Sequence, residues 1–290
     1  MEATEKDKIR QSVRESYSKI ARGEHDATII AQATSCCSET KEINGSGEIG
    51  LSGCDCGVTA FTTEKISELM GYSKEDIAEV PAGANLGLGC GNPLALASLK
   101  PGETLVDLGS GGGFDCFLAA RYVGDSGRVI GVDMTPDMVS KARLNAEKTQ
   151  LKNVEFRLGE IENLPIGDNM ADIIISNCVI NLSPDKQRVF QEAFRVLKPG
   201  GRLSISDIVA TAKLPDEIQK NLALLSACIA GAATIDDTRA MLDRAGFDDI
   251  RITPKDESRP IISEWVPGRN AGDYVVSASI EAIKQGTNLK

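Results

Sequence analysis

The sequence predicts an α/β fold: a doubly wound, mostly parallel sheet of Rossmann-like type, preceded by a cysteine-rich segment and followed by a smaller part. Three observations predict it. Strand and helix patterns alternate from Thr104 to Asp207, a glycine-rich turn stands at the first strand-to-helix junction, and two further strand-like runs close the chain. The expected organisation is 1–64 for an N-terminal helix and cysteine-rich loop, 65–210 for the sheet domain, and 211–290 for a helical insertion and closing strands.

In chain order, Ile9, Val13, Tyr17 and Ile20 recur at helical spacing and predict an amphipathic packing helix over 8–21. Residues 34–59 are rich in Gly, Ser and Thr and hold four cysteines without a period, which predicts a flexible or ligand-organised loop. Strands follow near 104–107, 128–133, 154–158, 171–176 and 201–207, with helices near 114–123, 136–149 and 185–197 between them. Thr135 before Pro136 predicts a helix start with the hydroxyl as cap, and Lys198-Pro199-Gly200-Gly201 predicts a helix end. Helices near 214–229 and 236–245 then give way to strands at 251–254 and 274–283, expected to join the sheet edge antiparallel.

The stretch Glu103 to Asp133 carries the chemistry. Glycines 109, 111, 112 and 113 let the backbone turn sharply, while the helix opening at Phe114 points free N–H groups at the same spot. A dinucleotide fingerprint needs a further glycine at 114, where Phe114 stands. Asp107 before the turn and Asp133 closing the second strand suit a ligand without a pyrophosphate: one carboxylate near an amino-acid portion, the other on ribose hydroxyls. S-adenosylmethionine fits that description better than NAD. Ligands of open parallel sheets lie beyond the strands' carboxyl ends, which selects Gly109, Ser110 and Gly111, then Asp133 and Met134, Glu160 and Ile161, and Asn177 with Cys178. Glu160 is read as an acceptor for the adenine amino group, Ile161 as packing on the ring, and Asn177 as lying near the methionine part of the cofactor. For Glu160 a plain surface turn stands as the alternative.

Composition narrows the partners. The 290 residues are 41% hydrophobic and carry 32 basic against 42 acidic side chains, a net charge of −10, with four Tyr and one Trp. This disfavours nucleic acid and anionic membranes and points to a small substrate. No run approaches a membrane span, and Met1 to Gln11 is too charged for a signal peptide, so a cytoplasmic location is expected. The eight cysteines are then expected as ligands, redox groups or buried fillers rather than structural disulfides.

His25 is the single histidine, placed before the sheet where a solvated role is expected, so no base accompanies the thiols. Thiolates without histidine select soft ions: zinc, copper(I) or thiophilic metalloids. Vicinal Cys36 and Cys37 with Cys54 and Cys56 could equally build a four-sulfur zinc site. Cys116 reads as a helix filler, Cys90 as an accessible thiol between glycines, and Cys228 as either a ligand or a helix-core residue.

The segments NLGLGCGNP, VDLGSGGGFDCFLAA, GVDMTPDMVSKAR, SNCVINLSPDKQRVFQEAFRVLKPGG and ACIAGA together resemble the arsenite methyltransferases that use S-adenosylmethionine, a class I methyltransferase family. The resemblance runs from about Lys8 to the C-terminus, and SNCVINL is its most specific element. It implies that As(III) is bound by thiolates at Cys90, Cys178 and Cys228, and that Cys36 or Cys37 enters a redox cycle reopened by thioredoxin or glutathione. Arsenite and trivalent methylarsenicals are the substrates it implies. Two other classes stay open: a methyltransferase of an organic small molecule such as a quinone, and a non-enzymatic thiol-rich protein binding metalloid or zinc.

Overall fold

The sheet's inner strands are near-continuous apolar runs, as strands covered by helices on both faces must be. In the computed structural model, which describes residues 3–24, 62–219, 225, 228–265 and 271–286, these runs are β1 (Thr104–Leu108), β2 (Arg128–Asp133) and β4 (Ala171–Asn177). With β3 (Val154–Leu158), β5 (Leu197–Ala210), β6 (Asp248–Lys255) and β7 (Val275–Ile283) they form one seven-stranded sheet in the order β3-β2-β1-β4-β5-β7-β6. Strands β1 to β5 pair parallel, while β7 is antiparallel to both β5 and β6, so the two closing strands complete the edge as expected.

Helices α5 (Phe114–Val123), α6 (Pro136–Glu147) and α7 (Lys186–Val196) are the crossovers. The stripe on α7 is Val189, Phe190, Ala193 and Val196, all buried against the sheet; α5 buries Cys116, Phe117, Ala119, Ala120 and Val123. Each large side chain so removed from water contributes about 1.5–3 kcal/mol. Helix α1 (Ala3–Arg22) packs on α6, and α2 (Thr63–Leu69), α3 (Lys74–Glu79) and α4 (Leu94–Ala97) lead into β1.

Two local expectations are corrected. Thr135 is the N-cap of α6, but its hydroxyl makes no capping bond; it is drawn toward Asp133, whose carboxylate also accepts from the Thr135 N–H at 2.8 Å. The stretch 198–201 is not a loop after a helix: α7 stops at Val196 and β5 begins at once, with the pairing shifting between Ala171 and Ile173. Of the helix expected over 214–229, the described residues include α8 (Asp216–Gln219) and a helical Leu225, and at Cys228 the chain turns with a left-handed φ of 61°; residues 220–224, 226 and 227 lie outside the described residues. The next helix, α9 (Ile235–Ala245), lies close to its expected position.

Candidate active site

Strand order reverses between β1 and β4, because the chain runs outward from β1 to β3 and then returns to β1's other side. The crevice at that switch point is where an open α/β sheet binds ligands, and a cavity of about 200 Å³ opens over it. Its floor is the glycine turn. Gly109 has φ +75°, and a Cβ there would stand 2.5 Å from the Val179 methyls, so no other residue fits without displacing the loop that carries Cys178. Gly111, also left-handed at +51°, has nothing within 4 Å of its Cβ position, leaving its face open to the cavity.

Buried acids line this end. The Asp133 carboxylate accepts from the N–H groups of Gly111 (3.0 Å) and Thr135, which pins it at the end of β2. Asp107 and Asp115 face one another: the Cys116 thiol donates to Asp107 at 3.2 Å, and the Tyr72 hydroxyl donates to Asp115 at 2.6 Å. Burial raises all of them, Asp107 well above the usual carboxylate range with Asp115 adding to the effect, and Asp115 to about 6. Among the described residues no basic side chain is paired with any of the three. Buried carboxylates lacking a cation are costly, and a cationic ligand offsets that cost where a pyrophosphate would add to it. Phe114, Met134, Met138 and Ile161 supply apolar walls.

Helix α1 does more than pack. Val13 and Tyr17, four residues apart on one face, line the cavity beside Arg10. Arg10 and Arg14 pair with Glu160, and Arg10 also reaches Glu162. The structure thus turns the Glu160 carboxylate toward α1, and the cavity wall at this point is Ile161 and Glu162.

The thiols meet on the opposite side. One sulfur each from Cys90 and Cys178 and a carboxylate oxygen of Asp207 lie within 4.8 Å of one another. Cys228, outside that trio, hydrogen-bonds the Cys178 thiol and donates to the Cys178 carbonyl at 2.7 Å. Each loop is held for this. Cys178, with φ +59°, donates its N–H to Ser206 O at 2.8 Å; the Asn177 side chain accepts from Cys90 N–H at 3.0 Å; and Ser277 donates to Cys90 O at 2.7 Å. The Cys178 thiol is pushed up well above its usual range, first by its bonds to Cys228 and Cys90 and then by burial. Cys228 is pulled down by its bond to Cys178, yet burial and nearby Asp207 leave it raised. Both are therefore neutral thiols at pH 7. Asp207, raised to about 6 by burial, accepts from the N–H groups of Ile180 and Ile208 and from the Asn181 amide, which fixes the turn after Cys178.

The structure thus brings Asp107, Gly109, Ser110, Gly111, Asp133, Met134, Ile161, Asn177, Cys178 and Cys228 to one cavity, with Cys90 beside it and Glu160 paired with Arg10 and Arg14. Cys116 is buried as expected but is not a plain filler, given its bond to Asp107. Sequence reasoning missed Tyr17, Tyr72, Asp115, Glu162 and Asp207. The expectations for His25, Cys36, Cys37, Cys54 and Cys56 lie outside the described residues.

Residues 99–246 match a family model described as a methyltransferase domain. The chain is similar to the arsenite methyltransferase of Halobacterium salinarum, 53% identical over 281 residues that are 96% of this chain and 67% of that protein. It is 44% identical over 193 residues to that of Aquipseudomonas alcaligenes, 64% of this chain and 54% of the relative. The chain therefore spans about two thirds and about half of these relatives' lengths. Among solved structures, an arsenic(III) S-adenosylmethionine methyltransferase from Chlamydomonas reinhardtii superposes with a TM-score of 0.57 at 33% identity, covering 79% of this chain and 75% of that one.

Proposed function

Because the chain belongs to the S-adenosylmethionine-dependent arsenite methyltransferases, we propose that it methylates trivalent arsenic held by Cys90, Cys178 and Cys228. The observation that carries this reading is the meeting of the three thiols at the carboxyl edge of β4, on the same cavity as the unpaired carboxylates. Neither a quinone nor a structural zinc accounts for that pairing. A resident zinc site would be closed to substrate, whereas Cys178 and Cys228 line a cavity.

Neutral thiols suit neutral arsenous acid. As three As–S bonds replace three As–O bonds, each thiol proton leaves with a hydroxide as water, and no net charge is buried. The bound arsenic is a pyramid whose lone pair points away from the sulfurs. S-adenosylmethionine, when bound, supplies an electrophilic methyl on a sulfonium that leaves as a neutral thioether. We assign Asp107 and Asp115 to its cationic amino-acid part, Asp133 to the ribose hydroxyls, and Ile161 with Met134 to the ring and its surroundings; Gly109, Ser110 and Gly111 let the backbone approach, and Asn177 stands between cofactor and thiols. Glu162, which lines the cavity beside Ile161, is assigned with Glu160 to the adenine side, both carboxylates being shared with Arg10. What these residues do is position: donor and acceptor held in line substitute for entropy the free reactants would lose.

Methylation raises arsenic by two electrons. Two cysteine thiols joining as a disulfide return them, with Cys36 or Cys37 as the partner of a binding-site thiol, and thioredoxin or glutathione reopens the bond. Cys90, Cys116, Cys178 and Cys228 are all free thiols, which suits a reducing, cytoplasmic setting. No helix among the described residues is long and apolar enough to cross a membrane. In this scheme 65–210 holds the cofactor, 211–290 contributes Cys228, and 1–64 supplies the redox thiol. Mass spectrometry of arsenic species after incubation with arsenite, S-adenosylmethionine and a thiol tests it: methylated arsenic is expected, and unchanged arsenite would overturn it.

A further inference from the structure

We propose that Tyr72 is a positioning residue that couples the two halves of the site, so that filling the cofactor end tightens arsenic binding at Cys90, and the reverse. The inference rests on the reading of the cavity just given. Tyr72 is buried at the turn between α2 and α3, and its ring meets Phe114 edge-on at a centroid distance of 4.8 Å, which fixes the hydroxyl's place. That hydroxyl donates to Asp115 at 2.6 Å and accepts from the Asn177 amide at 3.1 Å. The same amide donates to Gly91 O at 2.9 Å, while its oxygen accepts from Cys90 N–H at 3.0 Å. A continuous path of short bonds therefore runs from a cofactor-end carboxylate to the backbone on both sides of an arsenic ligand. The loop has no slack to take up a shift: a Cβ on Gly89 would lie 2.9 Å from the Asn177 amide, and one on Gly91 2.8 Å from Ser206 Oγ.

A cationic group arriving beside Asp107 and Asp115 favours the charged carboxylate and strengthens its bond from Tyr72. That bond polarises the phenol oxygen as an acceptor for Asn177. Cys90 is thereby held in the position arsenic requires, and arsenic fixing Cys90 orders the same path from the other end, since coupling between sites is reciprocal. Asn177 reaches Asp115 directly only at 3.4 Å, so the hydroxyl is the principal link. Tyr72→Phe keeps the ring contact and both Asn177 bonds to the Cys90 loop while removing that link.

Calorimetric titration of As(III) into the full chain, with and without saturating S-adenosylhomocysteine, reads the coupling as a ratio of affinities. We expect a ratio of about fivefold or more in the unaltered chain, in the usual range for coupled sites, and a ratio near one in Tyr72→Phe. A merely structural loosening weakens both titrations and cancels from the ratio. A ratio of one in the unaltered chain, or the same ratio kept in Tyr72→Phe, would overturn the coupling. Failure of S-adenosylhomocysteine or As(III) to bind at all would instead strike down the reading of the cavity, and the coupling with it. Should Tyr72→Phe not fold, hydrogen exchange on the unaltered chain decides: protection of the Cys90 amide should rise on adding S-adenosylhomocysteine alone, and unchanged exchange would overturn the proposal.

Discussion

The Cys228 thiol donates a hydrogen bond to the carbonyl oxygen of Cys178 at 2.7 Å, across 50 residues of chain. Both residues take left-handed backbone conformations, with φ near 60°, and such strain persists where surroundings over-determine it and function uses it. Neither cysteine lies in a regular element, and the bond between their turns defines the corner proposed to bind arsenic.

That corner depends on close backbone approach. A Cβ on Gly231 would stand 2.0 Å from the carbonyl of Asn181, so Gly231→Ala must push the Cys228 turn off the segment after β4. Overpacking of this kind costs about 1–3 kcal/mol. As(III) affinity should fall at least about tenfold, with S-adenosylhomocysteine affinity unchanged, by calorimetry of both ligands. Equal loss of both would mean the turn is not specific to arsenic.

Asp133→Ala removes a carboxylate held by two backbone N–H groups and assigned to the ribose. Loss of hydrogen bonds to a charged group should weaken S-adenosylmethionine binding by about 1.5–3 kcal/mol. Unchanged affinity would place the ribose elsewhere.

Cofactor binding should depend on pH through Asp115, which burial raises to about 6. A carboxyl whose folded value lies above its unfolded one stabilises the ligand-free fold at low pH, and that contribution is lost as pH rises through about 6. A cationic ligand requires the ionised form of Asp115, so its affinity should fall as pH drops through about 6, towards tenfold per pH unit below it. Calorimetry from pH 8 to 5 checks this, and a flat profile would remove Asp115 from the cationic subsite.

Cys116→Ser should leave arsenite turnover largely intact. The side chain is fully buried in α5 and away from the other thiols, and a serine hydroxyl can still donate to Asp107. Turnover collapsing as expected for Cys178→Ser would contradict its exclusion from the proposed arsenic site.

Much of the scaffold was legible because its signals are local: apolar runs of strand length, the glycine turn, and the residues just past each strand, which placed Cys178 and Asn177 correctly at the carboxyl edge. What escaped depends on contacts between distant segments. Asp115 opens α5, where an acid is favoured by the helix dipole alone, so nothing in the sequence marked it as facing Asp107. Tyr72 stands before a capping box and reads as turn punctuation. Glu160 was assigned by position past β3, and its pairing with Arg14, 146 residues earlier, had no local signal. Tyr17 was counted as helix packing; its spacing from Val13 gave the buried face but not that a cavity lies beneath it. Cys228 was read in a helical pattern, and the turn it takes there, with a left-handed φ of 61°, has no local signal in the sequence.

The central claim is that Cys90, Cys178 and Cys228 hold As(III) together, and arsenic-edge X-ray absorption of the As(III)-loaded chain tests it most directly. The account predicts three sulfur neighbours in the unaltered chain and two in Cys178→Ser, with methylation of arsenite lost. Three sulfurs retained in Cys178→Ser, with near-normal turnover, would contradict it.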